Sequence, residues 1–286
     1  MLSLSVTLVS ALLISNAACP CSGCAKSPSR SAIAVRESVT ENIHVRSHHP
    51  RWSAADVAKL AEAQRAHLFW HWREQATPAR WTPRCEVVIH ASRTSYLSSV
   101  GRGGETSYGS SLLNIRKGRC LSRRIDLLPD AKGELSALAH ELTHVAVSDM
   151  LGSVVIPRWL DEGIAILADS PGKQKLHDRD LQLARQRGQA MPIGELVTRI
   201  DYPVPTQIPV FYAESASLIS FLARRGGPVN LLKFVEQAQD DGYDAALRDL
   251  YDINGLAQLN HLWQADRTSF VGYPGQVARN PPADIH

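Results

Sequence analysis

Neither sign of charge dominates this chain. Lys and Arg number 31 and Asp and Glu 28, a formal net charge of +3. That excess is too slight to hold nucleic acid or an anionic membrane surface. No internal repeat is visible. Apolar runs of membrane length are missing: the one long uncharged stretch, residues 2–18 (LSLSVTLVSALLISNAA), is short for a span. Cysteine is scarce in the body of the chain, with Cys85 and Cys120 alone beyond residue 24. The glycine-rich GRGG at 101–104 lacks the Lys-Ser/Thr of a phosphate loop and reads as a turn. What is present is the composition of an ordinary globular protein, 44% hydrophobic and 21% charged. About 220 residues remain between the tails, enough for one core with two lobes or for two small domains.

The N-terminus reads as a secretory signal peptide over 1–18, ending in the small residues Ala17 and Ala18. No Lys or Arg precedes the apolar run, and a retained anchor is the alternative. Cys19 follows Ala-Ala as at a lipoprotein cleavage site, although Asn16 stands where such sites usually carry Leu. The expectation is an exported protein, periplasmic, cell-surface or extracellular, that touches a membrane only through such a signal or lipid. Residues 19–50, rich in Ser, Arg, His and Pro, read as a flexible linker; the cysteines of CPCSGC within it could bind metal, but thiols beside Pro and Gly in a tail are more often unstructured. Export permits disulfides, so Cys85 and Cys120, on neighbouring strands, form either a bridge or two buried free thiols.

Ser53 is a candidate N-cap for a helix over 53–74, with Val57, Leu60, Ala61 and Leu68 at helical spacing. CEVVIHA (85–91) reads as a strand and 92–100 as a short helix or turn. Residues 107–116 and 120–128 read as two strands joined at Lys117-Gly118. A strong helix is expected over 133–150, broken at Gly152, with Pro157 opening the next. A charged helix over 174–188, a shorter one at GELVTRI, and helices over 211–224, 228–239, 243–251 and 255–266 complete the chain. Helix, a few strands, then helices is an α+β order: a small mixed β-sheet packed on one central helix, with a helical C-terminal lobe.

That central helix carries HELTH, His140 to His144. A helix turns about 100° per residue, so residues four apart lie nearly over one another, and both imidazoles can reach one metal ion. Glu141 is offset enough to miss the metal and approach a metal-bound water. A catalytic zinc needs a third protein ligand and an open fourth position. WLDEGIA supplies Glu162, with 17 residues between it and His144, enough for a turn and a returning helix. Asp161 competes for the same place. Neighbours on a helix point about 100° apart, so only one of the two can bind directly.

HELTHV followed by PRWLDEGIA resembles the gluzincin branch of zinc metallopeptidases, and within it the peptidase MA-like group of bacterial exported proteins. The resemblance is specific over 120–170 and looser over 171–266 (FYAESASLISFLARRGG and the helix ending NHLWQAD). It implies a zincin-like fold, with 51–170 as the subdomain of the active-site helix, 171–271 as a helical C-terminal subdomain and 272–286 as a tail. It also implies one Zn2+ held by His140, His144 and Glu162, Glu141 as general base, and a peptide or protein substrate. Two departures stand out. The gap to Glu162 is one residue shorter than in aminopeptidase-like gluzincins. Ile166 stands where thermolysin-like members place an Asp that partners a zinc histidine, so the support of the ligands is undefined.

The implied reaction is peptide hydrolysis by metal-activated water, with a zincin-like binding scaffold of little turnover as the alternative. The intact Glu141 favours the enzyme. Tyr212 either donates to the developing oxyanion, as a later Tyr does in several gluzincins, or is a half-buried structural residue. RRIDLLPD (123–130) is expected as the edge strand that pairs with substrate. No pocket for a free N-terminus is recognisable, which leans towards an endopeptidase. His67 and His71, also four apart, lack an adjacent Glu and read as packing on an aromatic helix. His90 and His261 read as structural.

Overall fold

A period of two governs the sheet. The computed structural model describes residues 35–101, 103–266 and 268. The expected signal peptide, Cys19, the CPCSGC cluster and the tail from 272 lie outside them. Five strands, β1 (Arg36–Val39), β2 (Ile43–Ser47), β3 (Cys85–Ile89), β4 (Gly109–Arg116) and β5 (Arg119–Leu127), form one sheet in the order β1-β2-β3-β5-β4. The central pairs β2–β3 and β3–β5 are parallel, and the flanking pairs β1–β2 and β4–β5 antiparallel. Along each inner strand one set of side chains is buried in the core: Ile43 and Val45, Cys85, Val87 and Ile89, Ile125 and Leu127. The alternate set makes a charged ladder. Arg46 bonds Glu37 and Glu86, Arg124 bonds Glu86 and Asp126, and Asp126 accepts from His90 at 2.7 Å.

Two expectations are corrected here. The linker read over 19–50 contains β1 and β2 in its described part. Glu37, His44 and Arg46 stand on the polar face of the sheet, while Ile43 and Val45 enter the core. The strand expected at the edge, 123–130, is internal: β5 lies between β3 and β4, and β4 is the edge.

Helix α1 (Ala54–Arg73), capped by Ser53, packs on β2 and on α3 (Leu138–Leu151), and α3 also packs on β4 and β5. The short α2 (Arg93–Val100) lies against β5. Helix α3 starts later than the expected residue 133. Asp130 accepts the N–H groups of Lys132 and Glu134 in a turn whose Gly133 has φ +78°, a left-handed conformation favoured by glycine. After α4 (Arg158–Leu167) come α5 (Pro171–Gln186), α6 (Ile193–Thr198), α7 (Ile208–Gly226), α8 (Pro228–Asp241), α9 (Tyr243–Tyr251) and α10 (Gly255–Ala265). The fold is α+β and zincin-like, with a small mixed sheet on the HELTH helix and a helical lobe behind it. Among the described residues no helix is long and apolar enough to cross a membrane.

Helix α4 is the hinge of the site. It packs between α3 and α7, and all its residues from Trp159 on are buried except Asp161. Its contact with α7 is close enough to require glycine beside Glu162. A Cβ on Gly163 would stand 2.7 Å from the Ser215 carbonyl oxygen and 2.6 Å from Ile219. Cys85 and Cys120 are free thiols: Cys85 pairs in register with Arg123, not with Cys120, and burial pushes its thiol up to about 12.

Candidate metal centre and active site

The four-residue spacing on α3 brings the His140 and His144 rings to 4.9 Å between centroids. Helix α4 returns across them and places the buried Glu162 opposite. Its Oε2 stands 3.7 Å from His140 Nε2 and 4.0 Å from His144 Nε2. Ligand atoms of all three lie within 4.8 Å of one another, and among the described residues they are the one such cluster of metal-binding type. Zinc bonds of about 2.0–2.2 Å put tetrahedral ligands roughly 3.4 Å apart, so a small inward movement would close the cluster on a single ion.

The other nitrogens of both histidines are taken. His144 Nδ1 donates to Asp161 at 2.7 Å, and His140 Nδ1 donates to Asp169 at 3.2 Å. These bonds fix the tautomers so that both Nε2 atoms face Glu162, the orientation a metal-ligating histidine needs. Asp161, which competed with Glu162 as a ligand, therefore supports His144 instead. Asp169, seven residues past Glu162, gives His140 the carboxylate partner that Ile166 cannot. Its own charge is matched by Lys173 at 3.1 Å. The remaining oxygen of Glu162, Oε1, accepts from the Tyr202 hydroxyl. Neither Asp169 nor Tyr202 was evident in the sequence. Asp169 lies beyond the end of α4, and Tyr202 comes from the loop after α6.

The electrostatics are those of a cation site. Burial works against charge on every group here, yet the carboxylates win. Asp169 and Glu162 raise His140 well above the usual imidazole value, and Asp161 raises His144 to about 9. Against its own burial, Glu162 is held down at about 2 by the two histidines and Tyr202. Three carboxylates thus converge on two imidazoles, two of them also paired with Lys173 and Arg158, and Glu162 alone faces both Nε2 atoms. The donor set of two imidazole nitrogens and one carboxylate oxygen suits zinc.

A cavity of about 920 Å³ opens over this cluster. Its walls include Glu141, the edge strand β4 from Gly109 to Ile115, the glycine-rich loop at Gly103 and Gly104, and Arg158, Tyr202 and Tyr212. The loop read as a plain turn therefore borders the cleft, and β4 takes the place expected of 123–130. Glu141 is buried against Gly109. Tyr212 lies on the cavity wall with its ring 6.3 Å from that of Tyr202. Burial and the charge of Glu162 raise both phenols above their ordinary value, so they are hydrogen-bond donors at neutral pH. His67 and His71 stack on α1, their centroids 6.1 Å apart, outside the cluster, and His90 is bonded to Asp126.

Residues 131–268 match the family model of the Peptidase MA superfamily, in agreement with a gluzincin-type, peptidase MA-like group. The match takes in α3, α4 and the helices of the C-terminal lobe. No curated protein compared with the chain matches it.

Proposed function

On the premise that residues 131–268 carry a Peptidase MA superfamily segment, we propose that the chain is a zinc-dependent peptidase. One observation carries this reading. Glu162 Oε2 faces both Nε2 atoms while both Nδ1 atoms are tied to buried or half-buried aspartates, and all of this lies under a cleft that also holds an uncommitted Glu141. His140, His144 and Glu162 would hold the ion. Bound there, zinc supplies Lewis acidity, polarising a carbonyl and acidifying water.

The chain's own residues do the rest. Glu141 accepts the proton of the attacking water and returns it to the departing amine. Edge strand β4 offers unpaired backbone groups along the cleft, which suits an extended peptide laid beside it. Tyr212, on the cleft wall, would donate its hydroxyl to the oxygen on which charge develops. Every acidic side chain of the described cleft wall has a role: Glu162 as ligand, Asp161 on His144, Glu141 as base. No carboxylate is left for a substrate ammonium, which favours internal cleavage over removal of N-terminal residues.

The test is zinc analysis together with a peptide-library cleavage assay on wild type and Glu141→Gln. The variant is expected to bind zinc as tightly as wild type and to lose cleavage. Equal cleavage by both would refute the assigned base. Zinc binding with no cleavage by the wild type would favour a binding scaffold.

A further inference from the structure

Arg158, the first residue of α4, lies on the cleft wall and touches the supports of two ligands. Its Nη1 donates to Asp161 Oδ2 at 3.0 Å, while Asp161 Oδ1 holds His144 Nδ1 at 2.7 Å. Its guanidinium carbon stands 4.8 Å from the centroid of the Tyr202 ring, and the Tyr202 hydroxyl donates to Glu162 Oε1. The backbone joins the same pieces: Arg158 N–H donates to the Arg199 carbonyl at 3.1 Å, tying the loop that carries Tyr202 to the start of α4. From these contacts we propose that Arg158 is a positioning residue that braces two of the three ligand side chains at once, His144 through Asp161 and Glu162 through Tyr202.

The chemistry of arginine suits both jobs. A planar guanidinium can donate in its plane to a carboxylate while its face lies on an aromatic ring. A lysine could meet Asp161 but could not stack as a plane. Asp161 accepts from Arg158 with one oxygen and from His144 with the other, so loss of the guanidinium frees the carboxylate to turn. Tyr202 is part of a loop without regular structure between α6 and a 3-10 turn at Pro205–Gln207. Without the stacked cation, its hydroxyl loses the surface that holds it against Glu162. His140 has a separate support, Asp169 with Lys173, and is expected to be unaffected.

This inference rests on the three-ligand centre of the proposed function, but not on peptide hydrolysis. Its test reads metal affinity. Purified full-length wild type, Asp161→Asn, Tyr202→Phe and Asp161→Asn/Tyr202→Phe, each alone and combined with Arg158→Met and with Arg158→Lys, are titrated with zinc against a chromogenic chelator. Thermal unfolding of each metal-free protein reports the fold. Arg158→Met is expected to weaken zinc binding about 10- to 100-fold with a folded metal-free protein. That loss should shrink in the Asp161→Asn background and shrink again in Asp161→Asn/Tyr202→Phe. Arg158→Lys should lose less than Arg158→Met, and its deficit should vanish in Tyr202→Phe. Zinc affinity of Arg158→Met within twofold of wild type would overturn the proposal. So would a loss of the same size in every background, which would mark a general effect on α4. If Arg158→Met fails to fold, the same cycle run with Arg158→Lys decides. A wild type that binds zinc without cleaving peptides would sink the peptidase reading and leave this cycle intact.

Discussion

Gly109 presses on Glu141. A Cβ at residue 109 would lie 2.8 Å from Glu141 Oε1, 2.7 Å from its Cγ and 2.6 Å from the Ala137 Cβ. The edge strand can approach the HELTH helix this closely only with no side chain at that position, and the approach holds Glu141, the proposed base, against the cleft wall. Gly109→Ala must push either Glu141 or β4 away. Overpacking of this kind costs about 1–3 kcal/mol, and a base displaced by about 1 Å can lose about 100-fold in rate. Gly109 touches none of the three ligands among its nearest neighbours. The variant is therefore expected to keep its zinc and lose kcat/KM by one to two orders of magnitude. Zinc content and peptide cleavage measured on one preparation check this, and unchanged kcat/KM would show that the contact does not position the base.

Glu162 and Asp161 are neighbours with different tasks, and substitution should separate them. On the proposed assignment, Glu162→Ala removes one of the three ligands found among the described residues. Asp161→Asn leaves all three and weakens the hold on one ring. Asp161→Asn is expected to weaken zinc binding about 10- to 100-fold, and Glu162→Ala by clearly more. Competition with a calibrated chelator ranks them. The opposite ranking would exchange the two roles.

These two residues also show what a sequence can and cannot tell. The angular step of a helix is local, so HELTH announced that His140 and His144 share a face, and the same step allowed only one of Asp161 and Glu162 to be a ligand. Which of them faces the two Nε2 atoms depends on how α4 is rotated against α3. That rotation is fixed by tertiary contacts, among them the packing of Gly163 on Ser215 in α7. Asp169 and Tyr202 were invisible for the same reason: their positions depend on where a helix end and a loop come to rest. The miss at β1 and β2 has another cause. Ile43, Val45 and Ser47 alternate inward as a strand requires, but the segment was judged by its content of Ser, Arg, His and Pro, and His44 and Arg46 turn out to lie with Glu37 on one face of the sheet. The order of strands, and hence the identity of the edge, is a pairing property that no single strand encodes.

Tyr202 and Tyr212 share the cleft wall, and their hydroxyls should answer to different measurements. Tyr202 is committed to Glu162; Tyr202→Phe is expected to weaken zinc binding. Tyr212 is not bonded to a ligand, so Tyr212→Phe should leave zinc affinity unchanged. Loss of one oxyanion donor typically lowers kcat about 100- to 1000-fold, and a drop of that order with little change in KM is expected. A Tyr212→Phe enzyme with wild-type kcat would assign Tyr212 to packing alone.

Glu214 offers a test of the fold that is independent of the site. It is 1% exposed on α7; Oε2 accepts the Met191 N–H at 3.0 Å, and Oε1 has no hydrogen-bond partner. Burial raises its carboxyl from the usual 4.5 to about 7, with Arg185 and the Met191 bond opposing only in part. Between those two values the folded protein binds a proton that the unfolded chain has released, so this group lowers stability progressively as pH rises through that interval. Below pH 4.5 both states are protonated and it has no effect; above pH 7 the full penalty applies. At about 1.4 kcal/mol per pH unit that penalty is about 3 kcal/mol. Glu214→Gln keeps an acceptor for Met191 without the charge. Urea unfolding midpoints of the two proteins should coincide near pH 4 and diverge towards pH 8, with the variant the more stable. Parallel profiles across that range would mean that Glu214 stays charged in the folded protein and has found a partner there.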